Sequence, residues 1–409
     1  MTKQALTERV AMRSMTVYSY PDFALELEDP VVVGQGGSYD VLGWGPWQFP
    51  SLCMTERGHV LCTWARGEDT IEGYEDSVGG NISGAVSEDG GRTWRRRTPA
   101  DRALGVPLAD GREYFKPAAK NAYPAGWIGK YAPVYRSPDG GIALYRADEI
   151  AEYAMTVPAK EYDPSTGETQ EFESRINWPH AAVQVLRSRG RELVYPLDSL
   201  MGIMGQVVPD TDGRLLFATY GHGFSAATGE LSVPDKYNTY VFRSGDGGRT
   251  WDWLSEVLTT PDFVPALPGA EGFCEPNLAR MPDGSWVMLL RMGSGCPSWL
   301  VRSTDGCKTW SKPVHFDKCG VLPQLRVLGC GVSLAGYGRP GVFLRASSDP
   351  SGLKWESPID LGPESSCCYT AILPLDDTHA LFGYSDFRYP GPDGTLHKTI
   401  LVRRVAVRI

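Results

Sequence analysis

Four residues stand out by type and setting as groups that can move protons or hold charge. Glu275 opens an apolar run in Gly272-Phe273-Cys274-Glu275-Pro276-Asn277, and Tyr369 opens another in Cys368-Tyr369-Thr370-Ala371-Ile372-Leu373. Arg291 closes a run in Leu289-Leu290-Arg291-Met292-Gly293, and Arg339 lies in Gly338-Arg339-Pro340-Gly341. An arginine fork binds a carboxylate through two parallel hydrogen bonds. A third arginine, Arg66, starts the segment Arg66-Gly67-Glu68-Asp69-Thr70-Ile71-Glu72-Gly73-Tyr74-Glu75-Asp76-Ser77, which is dense in carboxylates. Two imidazoles are placed to take a proton at neutral pH. They are His180, after Trp178-Pro179, and His222, in Tyr220-Gly221-His222-Gly223.

Such groups need a scaffold. The chain has 409 residues, 42% hydrophobic and 22% charged, as expected of a globular protein and not of a disordered one. Lys and Arg number 40 against 49 Asp and Glu, a net charge of -9 that argues against a nucleic-acid partner. No apolar stretch is long enough to span a bilayer, so no membrane partner is expected. The N-terminus shows no secretory pattern. The nine cysteines are scattered, without a CxxC pair. They suggest reduced thiols and a cytoplasmic location, with no zinc site. No Walker or Rossmann motif is present, and no cofactor or metal is called for.

The strongest signal is an internal repeat. Ser87-Glu88-Asp89-Gly90-Gly91-Arg92-Thr93-Trp94 returns as Ser244-Gly245-Asp246-Gly247-Gly248-Arg249-Thr250-Trp251 and as Ser303-Thr304-Asp305-Gly306-Cys307-Lys308-Thr309-Trp310. A degenerate copy runs from Ser347 to Trp355. Each reads as a hairpin turn: Asp accepts backbone hydrogen bonds, Gly supplies a positive φ, and Thr and Trp restart a strand. Alternating strands precede each copy, with Asp212-Gly213 and Asp283-Gly284 as further turns.

These octapeptides resemble Asp boxes, and from about residue 45 onward the chain resembles the sialidase superfamily of β-propellers. The resemblance implies an all-β fold, a six-bladed propeller in a single domain over 1–409, with residues 1–44 forming a tail and a closing strand. In this reading Tyr131–Tyr135 and Ile142–Tyr145 are inner strands of one blade, with Asp163-Pro164-Ser165-Thr166-Gly167 as its worn box. Seven blades follow instead if Ala181 to Leu197 hold additional strands. The boxes would be structural turns remote from the site.

The resemblance also implies roles. Tyr369 would be the nucleophile, activated by Glu275, since a phenol passing its proton to Glu approaches a carboxylate-flanked anomeric carbon with less charge than a bare carboxylate does. Arg291 and Arg339 match two members of an arginine triad. The third place, in Trp47-Gln48-Phe49-Pro50, holds Gln48, whose amide can hydrogen-bond but carries no charge. That departure suits a uronic acid, another nonulosonate, or a neutral sugar. Asp76 is the candidate acid/base, with Asp69 as runner-up and Arg66 as a further funnel residue. Trp44, Trp47, Trp127 and Trp178 flank Gly/Pro loops and can stack on sugar rings or simply pack. The expected function is a retaining exo-glycosidase releasing a terminal, acidic sugar from a glycan. The first alternative is a uronate lyase using His222 or His180 with Tyr220 and an Arg; the second is a non-catalytic glycan binder.

Overall fold

The computed structural model describes residues 14–68, 82–115, 123–124, 126–151, 153–188, 190–195, 206–233, 235–263, 268–363, 365–392 and 394–409. The described residues form six sheets in a propeller-like arrangement, with a single four-residue α-helix at Tyr39–Leu42. None of their helices is long and apolar enough to cross a membrane.

Three sheets are simple four-stranded meanders. One runs Gln48–Met54, Val60–Ala65, Ile82–Ser87, Arg95–Arg96. The second runs Cys274–Arg280, Trp286–Arg291, Ser298–Ser303, Val314–Asp317. The third runs Gln324–Val327, Ser333–Gly338, Val342–Ser347, Ile359–Asp360. The first strands pack side by side in chain order. Gln206–Pro209 touches Cys274–Arg280, which touches Gln324–Val327; that strand meets Ala371–Pro374, which meets Gln48–Met54. The apolar core lies between sheets, where Leu278, Met288, Leu290 and Val301 meet Leu216, Ala218 and Val241.

The N-terminal strands Ala24–Glu28 and Val31–Gln35 both pair with the last strand, Leu396–Arg408. Chain ends far apart in sequence therefore share one sheet, which also holds Ala371–Pro374 and His379–Pro390.

One expectation is corrected. Asp163–Gly167 is not the worn box of the Ile142 sheet. It is the tip of a long hairpin, Thr156–Asp163 with Glu168–Asn177, whose second strand adds in parallel to Thr250–Val257 of another sheet. The sheet of Ile142–Arg146 is completed by Ala182–Ser188 and Arg191–Tyr195, so the strands between 181 and 197 belong to it. Tyr131–Tyr135 is also mostly irregular; only Tyr135–Arg136 is a strand.

The octapeptide turns join third to fourth strands. In an antiparallel meander that puts them at the sheet end opposite to the start of Cys274–Arg280. Asp305 accepts from the backbone N–H of Lys308 and Thr309 (both 3.0 Å), the Thr309 hydroxyl (2.6 Å) and the Ser303 hydroxyl (2.8 Å). The Thr309 hydroxyl and these N–H groups hold its carboxyl down to about 2, against the opposing effect of burial. We expect Asp305→Ala to destabilise the fold by about 1–2 kcal/mol, because several turn donors lose their acceptor. Turnover per folded molecule should not change; urea unfolding and kinetics on the same preparation check both.

Candidate active site

The first strand of the Glu275 sheet begins irregularly. Cys274 pairs with Arg291, the next regular pair is Asn277 with Leu289, and Glu275 and Pro276 bulge between them. Gln48–Met54 repeats this: Gln48 pairs with Ala65, Ser51 with Thr63, and Phe49 and Pro50 bulge out. In both, and at Leu322-Pro323, the residue before proline has positive φ: 56° at Phe49, 44° at Glu275 and 33° at Leu322. Trp47, Arg339 and Cys368 share this region at 59°, 68° and 63°. Non-glycine residues are strained there, and such strain gathers where a site must be held in one geometry.

The bulge turns Glu275 into a buried polar network. Its side chain is 2% exposed. Oε1 accepts the Tyr369 hydroxyl and, at 2.7 Å, the Arg291 Nη1–H. Oε2 accepts the Leu322 backbone N–H at 2.6 Å. Arg291 thus links strands 78 residues apart in sequence, its Nη1 also lying 3.4 Å from the Tyr369 hydroxyl. Burial opposes the charge on Arg291, but Glu275 and the other anionic groups around it overcome that and raise its pKa. The Tyr369 phenol is pushed well above its ordinary range, first by burial and then by the Glu275 charge. It therefore stays protonated at rest and gives up its proton only as a new bond forms to its oxygen.

Arg339 completes the cluster. Nη1 donates to Ser294 Oγ at 3.1 Å and Nη2 to the Cys367 carbonyl at 2.7 Å. Its guanidinium lies over the rings of Trp44 (5.3 Å) and Tyr369 (5.5 Å). Tyr220 joins the same neighbourhood: burial first and the Glu275 charge second raise its phenol well above the usual value. Gln48 is fully buried, with both amide atoms unpartnered, one residue from Phe49, whose ring lies 4.9 Å from that of Tyr369.

Other expected residues sit apart. His222 is 4% exposed; its Nδ1 lies 3.2 Å from Gln184 Oε1 and its ring 4.2 Å from that of Tyr237. Tyr237 in turn packs against Tyr220. His180 is exposed and packs over Gly229, and Arg66 is exposed just after Val60–Ala65. Neither joins the Glu275 network among the described residues. Asp76 and Asp69 lie outside the described residues. Trp47 stacks on Trp64, and Trp178 packs on Tyr240 and Phe242, so both serve the core.

Three groups in the network were not anticipated. Glu271 places both carboxylate oxygens 2.8 Å from Arg291 Nη2, and Ser294 bridges Arg291 (3.2 Å) and Arg339. Lys398 is fully buried; its Nζ donates to the Gly43 carbonyl at 2.8 Å and lies 4.3 Å from the Phe387 ring centroid. It thereby braces the loop that carries Trp44. Burial brings its ammonium down to about 8.

Burial likewise lowers His222 to about 4, with Asp235 opposing. The folded value lies below the unfolded one of about 6.5, so the unfolded state binds the extra proton. Stability is then full above pH 6.5 and falls as the pH drops toward 4. We expect His222→Gln to flatten that part of the pH–stability profile, which is on the order of 3 kcal/mol deep in the parent. Urea midpoints from pH 4 to 7.5 on both proteins measure it.

No protein-family model matches the chain, and no curated protein does. Among solved structures, the chain is similar to a protein of unknown function from Dyadobacter fermentans DSM 18053. The two are 15% identical over 94% of this chain and 99% of that one, with a TM-score of 0.51. It also aligns with a Hadza microbial sialidase, 15% identical over 92% and 68% of the two chains (TM-score 0.49). A third alignment is with the Penicillium chrysogenum alpha-L-arabinanase complexed with arabinobiose, 11% identical over 91% and 98% (TM-score 0.47). At these identities the Dyadobacter likeness is one of fold alone, and the other two carry no argument about this chain.

Proposed function

We propose that the chain is a six-bladed propeller acting as a retaining, sialidase-like exo-glycosidase, with Tyr369 as nucleophile. The observation that carries this reading is the buried Tyr369–Glu275–Arg291 triad, in which the phenol donates to a carboxylate already fixed by a cation and a backbone N–H. Both Glu275 oxygens are occupied, so the carboxylate is poorly placed to attack a sugar itself and well placed to take a proton.

The Tyr369 oxygen bonds to the anomeric carbon and its proton passes to Glu275. The glycosidic C–O bond breaks, and the leaving oxygen is protonated by an acid, for which Asp76 is the candidate. Water then attacks the anomeric carbon, giving its proton to that same group, and the Tyr369 oxygen leaves and regains its proton from Glu275. Two inversions give net retention. Arg291 and the Leu322 N–H hold the Glu275 carboxylate in place to receive that proton.

The substrate would be a glycan, with no nucleic-acid or membrane partner. The nine unpaired thiols suit a reducing compartment such as the cytoplasm. The β-elimination alternative needs an arginine beside its base, and the described partners of His222 are Gln184, Tyr237, Asp235 and Lys236. A purely binding role would leave the buried Tyr369–Glu275 hydrogen bond and the strained backbone around it without a use.

The test is a panel of aryl glycosides, neutral and anionic, with the first-formed sugar anomer read by proton NMR. Release with retained configuration supports the proposal. An inverted product, or an unsaturated sugar absorbing in the ultraviolet, refutes it.

A further inference from the structure

We infer that the sugar taken by this pocket bears no carboxylate at its anomeric centre, and that Glu271 enforces this. The inference rests on the glycosidase reading and adds the chemical class of its substrate: an uncharged aldose, recognised through its hydroxyls.

Arg291 has the geometry to grip an external carboxylate, but both terminal nitrogens are already engaged. Nη1 serves Glu275 and faces the Tyr369 hydroxyl, while Nη2 serves both oxygens of Glu271 and Ser294. Arg339 gives one N–H of Nη1 to Ser294 and one of Nη2 to a backbone carbonyl, and keeps further N–H groups for a ligand. Two guanidinium charges thus meet two carboxylates, and the further buried cation, Lys398, is enclosed by the Gly43 carbonyl and the Phe387 ring. The adjoining charges on Lys236 and Asp235, which both act on His222, are likewise one of each sign.

A sugar carboxylate would add a third negative charge to a partly desolvated cluster. To reach Arg291 it must displace Glu271, which then faces it unpaired. An uncharged sugar meets no such obstacle. Its hydroxyls can accept from the remaining Arg339 N–H groups and donate to the Glu271 carboxylate, which is 38% exposed and so open to a ligand. Gln48, fully buried beside Phe49 with neither amide atom partnered, brings no positive charge to offset a sugar carboxylate.

The test uses the full chain, Glu271→Gln and, as a second variant, Gln48→Arg. Turnover is measured on aryl glycosides of neutral pentoses and hexoses, on the matching uronides and on an aryl sialoside. Binding of the didehydro analogue of N-acetylneuraminate is measured by calorimetry. The inference predicts turnover of a neutral glycoside by the parent, with the anionic ones at least about a hundredfold slower. It also predicts that either variant binds the anionic analogue at least about tenfold more tightly than the parent does. Parent turnover of a sialoside or uronide that disappears in Tyr369→Phe would overturn the inference and leave the glycosidase reading intact. If no glycoside is cleaved, the glycosidase reading fails instead. The binding arm still decides the charge argument: tighter anion binding by the variants upholds it, and equal or weaker binding by both overturns it.

Discussion

Tyr369→Phe should lower kcat on any substrate the enzyme turns over by about a thousandfold or more, with KM nearly unchanged. The substitution removes one oxygen and little else. The ring keeps its packing on Phe49 and beneath Arg339. Glu275 keeps Arg291 and the Leu322 N–H. The fold should therefore survive, and an unchanged unfolding midpoint would show that the loss is chemical. A variant that retains more than about a tenth of parental kcat would remove Tyr369 from the nucleophile's role.

The second large effect is on stability. Arg291→Met strands Glu275, 2% exposed, without its cation, and should cost about 3–5 kcal/mol, the usual consequence of breaking one half of a buried ion pair. Glu271 should suffer less, because its exposed carboxylate can turn to water. Adding Glu275→Gln to the same chain removes the orphaned charge and should restore most of the loss. Urea unfolding of the parent, of Arg291→Met and Glu275→Gln alone and of the double variant reads the coupling directly. A double variant as unstable as the two losses summed would mean that Arg291 and Glu275 do not act as a pair. All activity should vanish in both variants, since the acceptor for the Tyr369 proton is unpositioned in one and lost in the other.

Much of this was legible before any coordinates, for local reasons. The octapeptides at Ser87, Ser244 and Ser303 announce their hairpins because Asp, Gly and Thr complete the turn within a few residues of chain. Glu275, Arg291 and Tyr369 stand at the starts and ends of apolar runs, and the resemblance to sialidases is what gives them roles. The Asp163 turn misled for the same reason: its residues suit any hairpin tip, and nothing local says that its strands will pair with Thr250–Val257, some 75 residues on. Glu271 escaped notice because it precedes a strand, in a loop, and its partner lies 20 residues away. Lys398 escaped because a lysine in an alternating strand reads as solvent-facing, whereas here the Gly43 carbonyl and aromatic rings enclose it. The repeated residue-proline step at Phe49, Glu275 and Leu322 was in plain view, but its meaning lies in a positive φ that residue types alone do not disclose.

The central claim is that the phenol oxygen of Tyr369 bonds to the sugar. The most direct measurement is to trap that bond. The chain would be incubated with fluorinated glycosyl fluorides of the sugar class it hydrolyses, which slow the second step, and then digested and sequenced by mass spectrometry. The account predicts one glycosyl increment on the peptide containing Tyr369, localised to that residue and absent from Tyr369→Phe. An increment on Glu275, or on any other side chain, would contradict it.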